Sequence, residues 1–578
     1  MKKIYITRFT VISNIISFLI LVLLTTSCHL IEKESYKDFH FEEWVQSELK
    51  SGKSAIVLPK GVHHAYSKSL SSKYLYISNN DDGLKNILFD LSNRENLVID
   101  GNGAELILHG HVIPFFMKSA KNITIKNLTI DWAHPFFAQG EITEVGDNYF
   151  DVEFKEPYVA EIEDGRLVFL SPDLDEPMDF GNINFVNPKL ERLVYKSMDE
   201  YPIAEEHQAE MIKANLFRIH YRNIMSPIEV GHVAVFQYEG RSSPAVLAHG
   251  GSDIHLENVT EYHAAAIANL FEGTTNIYVD SLQVIRRPGS GRWFTAHHDA
   301  IHFVDCRGDI HIKGSTVEWQ GDDDINIHGI FRRVQRKVTN NTIQVYLYHF
   351  QQMGVRTLYP GDNIAFYDKN TFQLLGEGTL EKEVYYLYTA QQSYLRFKDE
   401  LPPLDWNNIV VALLNHDIDV QISGNHFSNH RARNLIIKTP GKVRIHDNYF
   451  NAQGAAIKIH NEIDSWHESG PVEDVEIFNN VFNQCNNGGF SFSTIEITAG
   501  VNDPSTTLPV HKNISIHNNK IIYIFKPIMN ASYTENLEFY DNEIVPGEDY
   551  EQWYKGKKEP DMIVIGHGVT KGKFQEIQ

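Results

Sequence analysis

The sequence predicts an all-β chain: a right-handed parallel β-helix, a solenoid carrying two small inserted β-barrel or sandwich domains. Three observations carry that expectation. A short strand phrase recurs along the chain, its spacing clusters in the low twenties, and two long gaps interrupt it while containing alternating strands of their own.

The phrase is a polar residue, alternating apolar positions, then Asn or Gly and a further apolar residue. It starts at Asn96, Asn122, Asp253, Asn276, Asp309, Asp419, Lys442, Asp474, Asn513 and Asn536. Period-two alternation over a few residues is the pattern of a strand. The Asn or Gly that follows suits a tight bend, because these residues tolerate left-handed backbone angles. Stacked asparagines can also form ladders through their side chains. Outside the gaps the start-to-start spacings are 26, 23, 33, 23, 32, 39 and 23 residues. A period in the low twenties with loop additions marks a β-helix. A leucine-rich repeat has a similar period but needs a leucine frame and helical segments, and the chain has neither. The gaps run from 122 to 253 and from 309 to 419. Removing one coil from each leaves insertions of roughly 85–110 residues. Alternation at Gly140–Phe154 and Thr342–Tyr348 makes both insertions antiparallel β domains.

The expected organisation follows in chain order. Residues 1–28 form a signal peptide, with Lys2, Lys3 and Arg8 before a short apolar core from Ile15 to Leu24. That core is short for a membrane span. The run Leu24-Thr25-Thr26-Ser27-Cys28 resembles a bacterial lipoprotein cleavage site, with Cys28 as the lipidated residue. Residues 29–136 are an N-terminal cap and the first coils, 137–230 the first inserted domain, and 231–330 the coils carrying the candidate site. Residues 331–415 are the second inserted domain, and 416–578 the C-terminal coils and tail. The expected location is that of an exported bacterial lipoprotein, periplasmic or outer-membrane anchored, touching membrane through its lipid alone. Cys306 and Cys485 are expected as small buried apolar side chains.

The formal net charge is −23, from 52 basic and 75 acidic side chains. Nucleic acid and anionic polymers need a basic face and are disfavoured as partners. Neither CxxC nor HExxH occurs, and His297, His298, His302 and His328 lack ligand spacing, so no metal and no cofactor is expected.

The candidate site lies in a second strand series whose aligned steps are Ala266-Ile267, Ala300-Ile301, Asp324-Ile325, Asn434-Leu435, Ala456-Ile457 and Thr494-Ile495. Adjacent parallel strands lie ~4.8 Å apart. This register stacks Ala265, Asp299, Asp323, Arg433 and Ala455 in one column and places His298 beside Asp322. Crowded carboxylates repel, which raises at least one pKa and leaves an acid beside a base. Glycosidic hydrolysis needs that combination. The same cluster also fits a calcium-binding or solvated acidic ladder. Strict alternation would turn Asp299 and Asp323 inward with Ile301 and Ile325, so a catalytic reading requires a bend between aspartate and isoleucine.

His298-Asp299 and Gly321-Asp322-Asp323 resemble the paired acidic elements of polygalacturonases, glycoside hydrolase family 28. That family's Gly-His-Gly and Arg-Ile-Lys elements have no clean counterpart here. Over essentially the whole mature chain, both interruptions included, the sequence more closely resembles glycoside hydrolase family 110, the bacterial α-1,3-galactosidases. The segments Ala296–His302 and Gly321–His328 carry that resemblance. It implies an inverting exo-glycosidase that removes terminal α-1,3-linked galactose from blood group B antigens and linear Galα1-3Gal glycans, so its partners are galactose-terminated glycoproteins or glycolipids. It also implies Asp322 as general acid, with Asp299 and Asp323 positioning and deprotonating water. Sugar contacts are expected from Arg292 and Trp293 on an inserted loop, from His298 and Asp324 beside the acids, and from Arg433, Asn434, Lys458, His460 and Glu496 on following coils. The competing classes are a pectin-type endo-hydrolase or lyase and a non-enzymatic glycan-binding solenoid.

Overall fold

The computed structural model describes residues 40–197, 199–385, 391–489, 491, 493–503, 505–550 and 558–575. The signal segment and Cys28 lie outside the described residues. Every phrase found in the sequence stacks on the next in one parallel column. Leu97 pairs with Ile123, Ile123 with Ile254, Ile254 with Ile277, and Ile277 with Ile310. Ile310 pairs with Val420, which is followed by Val443, Val475, Ile514 and Leu537. All ten side chains are buried. A continuous aliphatic column of this kind holds register, because a one-residue slip would turn each side chain to solvent.

The bends between the first and second strand of the later coils use dipeptides with divided roles. The first residue takes a left-handed φ: Gly424 (65°), Asp447 (57°), Asn479 (56°), Asn518 (55°) and Asp541 (54°). The second is an asparagine whose side chain points along the helix axis. Asn425, Asn448, Asn480, Asn519 and Asn542 donate each to the next at 2.9–3.0 Å. Each of the last four also accepts the backbone N–H of the asparagine before it at 3.0 Å.

The N-terminal end is closed by a helix, Phe41–Lys50, whose Phe41, Val45 and Leu49 face the core. The first insertion forms a seven-stranded antiparallel sheet running from Phe137–Val145 to Val233–Tyr238, plus a hairpin, Val159–Glu163 with Arg166–Leu170. The expected boundary at 230 is therefore too early: Val233–Tyr238 pairs with Phe137–Val145 and Phe180–Asn187, and the coils resume at Val246. Alternation in Val233–Tyr238 reads alike in a coil or a sheet, so it could not show the difference. The second insertion is a closed six-stranded barrel from Arg332 to Leu413 with its own core, including Ile343, Phe366, Leu395 and Trp406. Cys306 and Cys485 are free and buried. Among the described residues no helix is long and apolar enough to cross a membrane.

In the middle of the asparagine ladder, Asn480→Ala strands donors and acceptors on both neighbouring coils. The expected loss is about 1–3 kcal/mol for the groups left unpaired, larger than for Asn542→Ala at the ladder's end. Chemical denaturation of the two variants, compared by midpoint, checks this.

Candidate active site

The acids immediately precede the third strand of each coil, not the second as the sequence suggested, and the register of that series needs one correction. Ile301 pairs with Ile325, then Leu435, Ile457 and Ile495 in turn, as the sequence predicts. On the other side, however, Ile301 pairs with Asn269 and not with Ile267. A two-residue slip keeps every side chain on its own face, so alternation alone cannot detect it. Ile267, not Ala265, therefore stands level with Asp299. Asn269 is a polar residue in the inward column; it bonds buried Glu261 at 2.9 Å, and burial pushes that carboxyl up to about 8.

The bend that a catalytic arrangement requires is present. The strands begin only at Ile301 and Ile325, and residues 297–300 and 321–324 lie outside them. Trp319 enters the second bend with φ 64°, a strained angle for a bulky residue. Gly321 then passes so close to the coil below that a Cβ would lie 2.1 Å from the His297 carbonyl oxygen. Asp299, Asp322 and Asp323 consequently bring carboxylate oxygens within 4.8 Å of one another.

Each acid is held by named partners. Asp322 is the most exposed, at 18%, and meets Arg431 Nη1 at 2.9 Å and Arg241 Nη2 at 3.7 Å. Arg431 is fixed in turn by Asp199 of the first insertion. Asp323 accepts the Arg433 backbone N–H and its Nη2, both at 2.9 Å. Asp299 accepts the Asp323 N–H at 3.2 Å and lies 2.6 Å from His302 Nδ1. Burial raises both Asp299 and Asp323 well above the ordinary aspartate range; the Asp322 charge adds to each rise, and Arg433 opposes it.

These acids stand in a cleft of about 460 Å³. Of the residues expected to contact sugar, the structure brings Arg433, Lys458 and His460 into its wall. Glu496 is buried 3.9 Å from Lys458 Nζ and supports it from beneath. Five expected contacts are corrected. Asp324 is fully buried, accepting from Gln320 and, at 2.7 Å, from Asn434 Nδ2. Asn434 is thereby consumed on the inner side as well, because the bend before Ile325 and Leu435 turns both residues away from the cleft. Arg292 binds buried Asp131, together with Arg287, and Trp293 packs on Trp319 with a 5.2 Å ring separation. Their loop is pinned to Gln139 of the first insertion instead of reaching the cleft. His298 packs against His297 at a tilted angle beside the site and does not line it.

Sequence reasoning missed several wall residues. Lys438 and Glu468 form a buried pair at 2.5 Å, with Asn79 Nδ2 3.1 Å from the same carboxylate. Lys438 pairs in register with His328, so the column pattern contained it. Trp466, Arg241 and Tyr201 come from segments outside the repeat, and no periodic signal marks them. Arg241 lies 5.1 Å over the Trp466 ring, and His349 packs against that ring at a tilt, 4.1 Å between centroids. Two groups bring potential ligand atoms together, the three aspartates and His302, His328 and Glu468. A cation at either would compete with arginine or lysine already bound there.

A family model described as GLAA-B beta-barrel domain II matches residues 342–404, within the closed barrel. Alpha-1,3-galactosidase A of Shewanella woodyi is 30% identical over 500 residues, covering 86% of this chain and 81% of its own. Alpha-1,3-galactosidase B of Bacteroides thetaiotaomicron is 29% identical over 524 residues, covering 87% and 83%. The fold, the clustered carboxyls and these relatives together define a glycoside hydrolase built on a parallel β-helix. The chain belongs to glycoside hydrolase family 110, the bacterial α-1,3-galactosidase family.

The buried Lys438–Glu468 pair has a pH signature. Burial alone would raise Glu468, but His328, Lys438 and His302 hold it well below the ordinary glutamate value. A depressed folded pKa adds stability above the unfolded value, and that stability is lost as pH falls through the folded one. Glu468→Gln leaves the ammonium uncompensated, with an expected cost of about 3–5 kcal/mol near neutral pH. Thermal melts across pH should show the gap from wild type narrowing in acid.

Proposed function

We propose that this protein is an exo-acting, inverting α-1,3-galactosidase that removes terminal galactose from blood group B antigens and from linear Galα1-3Gal glycans. The observation that carries the reading is the cleft's charge pairing around the three acids. Arg241, Arg431, Arg433, Lys438 and Lys458 line the wall, and each has a carboxylate within 4.0 Å. No lysine or arginine among the described wall residues is left over for a uronate, which favours a neutral sugar over pectin. Atoms without protein partners remain for hydroxyls: Asn326 Oδ1 and Arg433 Nε are buried in the wall and unpaired. Trp466 offers the aromatic face that sugar C–H surfaces stack on. The relatives named above carry the α-1,3-galactosidase activity in their names.

In this mechanism Asp322, the acid nearest solvent, protonates the leaving oxygen. Asp299 and Asp323 hold the water that attacks the opposite face of C1. Asp322→Asn should lower kcat/KM by about 10²–10⁴-fold, the range for a lost general acid, without a change in melting temperature. Proton NMR of residues 29–578 with Galα1-3Gal, and in parallel with the B trisaccharide, should show β-galactose released first. One observation favours a retaining alternative. The acids approach within 4.8 Å, whereas two-carboxylate inverting sites are spaced ~6.5–9.5 Å and retaining ones ~5–5.5 Å. Initial release of α-galactose would establish retention, and no hydrolysis of either substrate would leave a glycan-binding solenoid.

The same proposal includes export and lipidation at Cys28, supported by the basic start and small residues before the cysteine. Cys28→Ser should abolish fatty-acid labelling and move the protein from the membrane to the soluble fraction.

A further inference from the structure

The three clustered carboxyls have different kinds of partner. Asp322 and Asp323 each face guanidinium groups. Asp299 has no arginine or lysine within salt-bridge distance among the described residues; its partners are the Asp323 N–H and His302.

The proton positions around His302 follow from one fixed acceptor. The Gly329 carbonyl can only accept, so His328 Nδ1, 2.7 Å away, carries a proton. Neutral His328 therefore presents a bare Nε2 to His302 Nε2 at 2.8 Å, and His302 must donate there. Neutral His302 is then bare at Nδ1, which lies 2.6 Å from Asp299 Oδ2. Two lone pairs at that distance require a proton between them, and only Asp299 can supply it.

The alternatives put an imidazolium in the pair, either His302 against an Asp299 carboxylate or His328 against Glu468 Oε1, 3.5 Å from its Nε2, with His302 then donating to an Asp299 carboxylate. Either would add a further cation to a wall that already holds Lys438, Lys458, Arg241, Arg431 and Arg433. Burial pushes His302 and His328 down to about 4, although Glu468 pulls both up. Burial and Asp322 push Asp299 the other way, against Arg241 and Arg433. The charged and titratable groups facing this chain are therefore Asp322, Asp323, Arg241 and Arg433 at one end and Glu468 and Lys438 at the other.

We propose that Asp299 is held as a neutral carboxylic acid in the resting site, its proton donated to His302 Nδ1, so that Asp323 alone takes the proton of the attacking water and Asp299 is a positioning residue. The inference rests on the hydrolytic reading above and divides a pair of acids into one base and one holder. In the reaction the water oxygen bonds C1 as the glycosidic C1–O bond breaks. One water proton passes to Asp323, a proton that Asp322 takes up from solvent as substrate binds goes to the leaving oxygen, and the Asp299 proton stays in place. Asp299 fixes the second acid by accepting the Asp323 N–H.

An amide at position 299 reproduces both contacts of the neutral acid: its oxygen accepts the Asp323 N–H and its nitrogen donates to His302 Nδ1. Asp299→Asn should therefore lose less kcat/KM than Asp323→Asn and keep the acid limb of the pH profile in place. Asp323→Asn should lose about 10²–10⁴-fold. Asp299→Ala, which strands both partners, should fall below the Asn variant. A folded Asp299→Asn enzyme as inactive as Asp323→Asn would overturn the assignment. Histidine 15N NMR of the resting wild type gives a reading independent of turnover and of any variant's folding. A bare Nδ1 on His302 near neutral pH supports the proposal, and a protonated Nδ1 overturns it. Should the wild type release no galactose, the hydrolytic reading fails while the spectrum still decides the protonation.

Discussion

The register between successive coils is the constraint on which the rest of the structure depends. It is set by a column of inward aliphatic side chains running from Leu97 to Leu537 and reinforced by the asparagine ladder beside it. Because neighbouring coils sit one strand spacing apart, residues distant in sequence become immediate neighbours. Asp299 and Asp323 come together across 24 residues, and Asp323 and Arg433 across 110. A slip of one residue in any coil between them would separate acid from acid, and acid from arginine, by turning a face outward.

That register explains how closely charge is balanced in the cleft. Three carboxyls are concentrated on two adjacent coils, and the coil above supplies Arg431 and Arg433 to meet two of them. Buried charges are tolerated only when paired and hydrogen-bonded. The insertions contribute to the same balance: Asp199 fixes Arg431, and Arg241 stands between Asp322 and Trp466. The solenoid provides the acids, and the segments that interrupt it shape the rim.

What the sequence makes legible follows from periodicity. The ten strand phrases and their column are readable because alternation and spacing repeat. The acids are readable because they occupy equivalent positions on successive coils, and Lys438 lies in the same register. The step at Ala268-Asn269 is not readable, since a two-residue slip is silent to alternation and Asn269 hides an inward position behind a polar side chain. Arg292 and Trp293 look like rim residues because their loop lengthens a coil; their partners, Asp131 and Trp319, are fixed by packing that no local pattern encodes. Trp466 and Arg241 have no repeat to place them at all.

The placement of the barrel has a consequence for how the chain is made. Ile310 and Val420 are neighbours in space, yet the ribosome delivers them 110 residues apart. At synthesis rates of about 5–20 residues per second, the coil bearing Asp322 and Asp323 waits on the order of 5–20 s as an uncovered parallel edge before its neutralising arginines emerge. Unpaired edges template association with other chains. Asp322, the most exposed of the acids at that edge, disfavours the approach of a second copy of that edge during that interval.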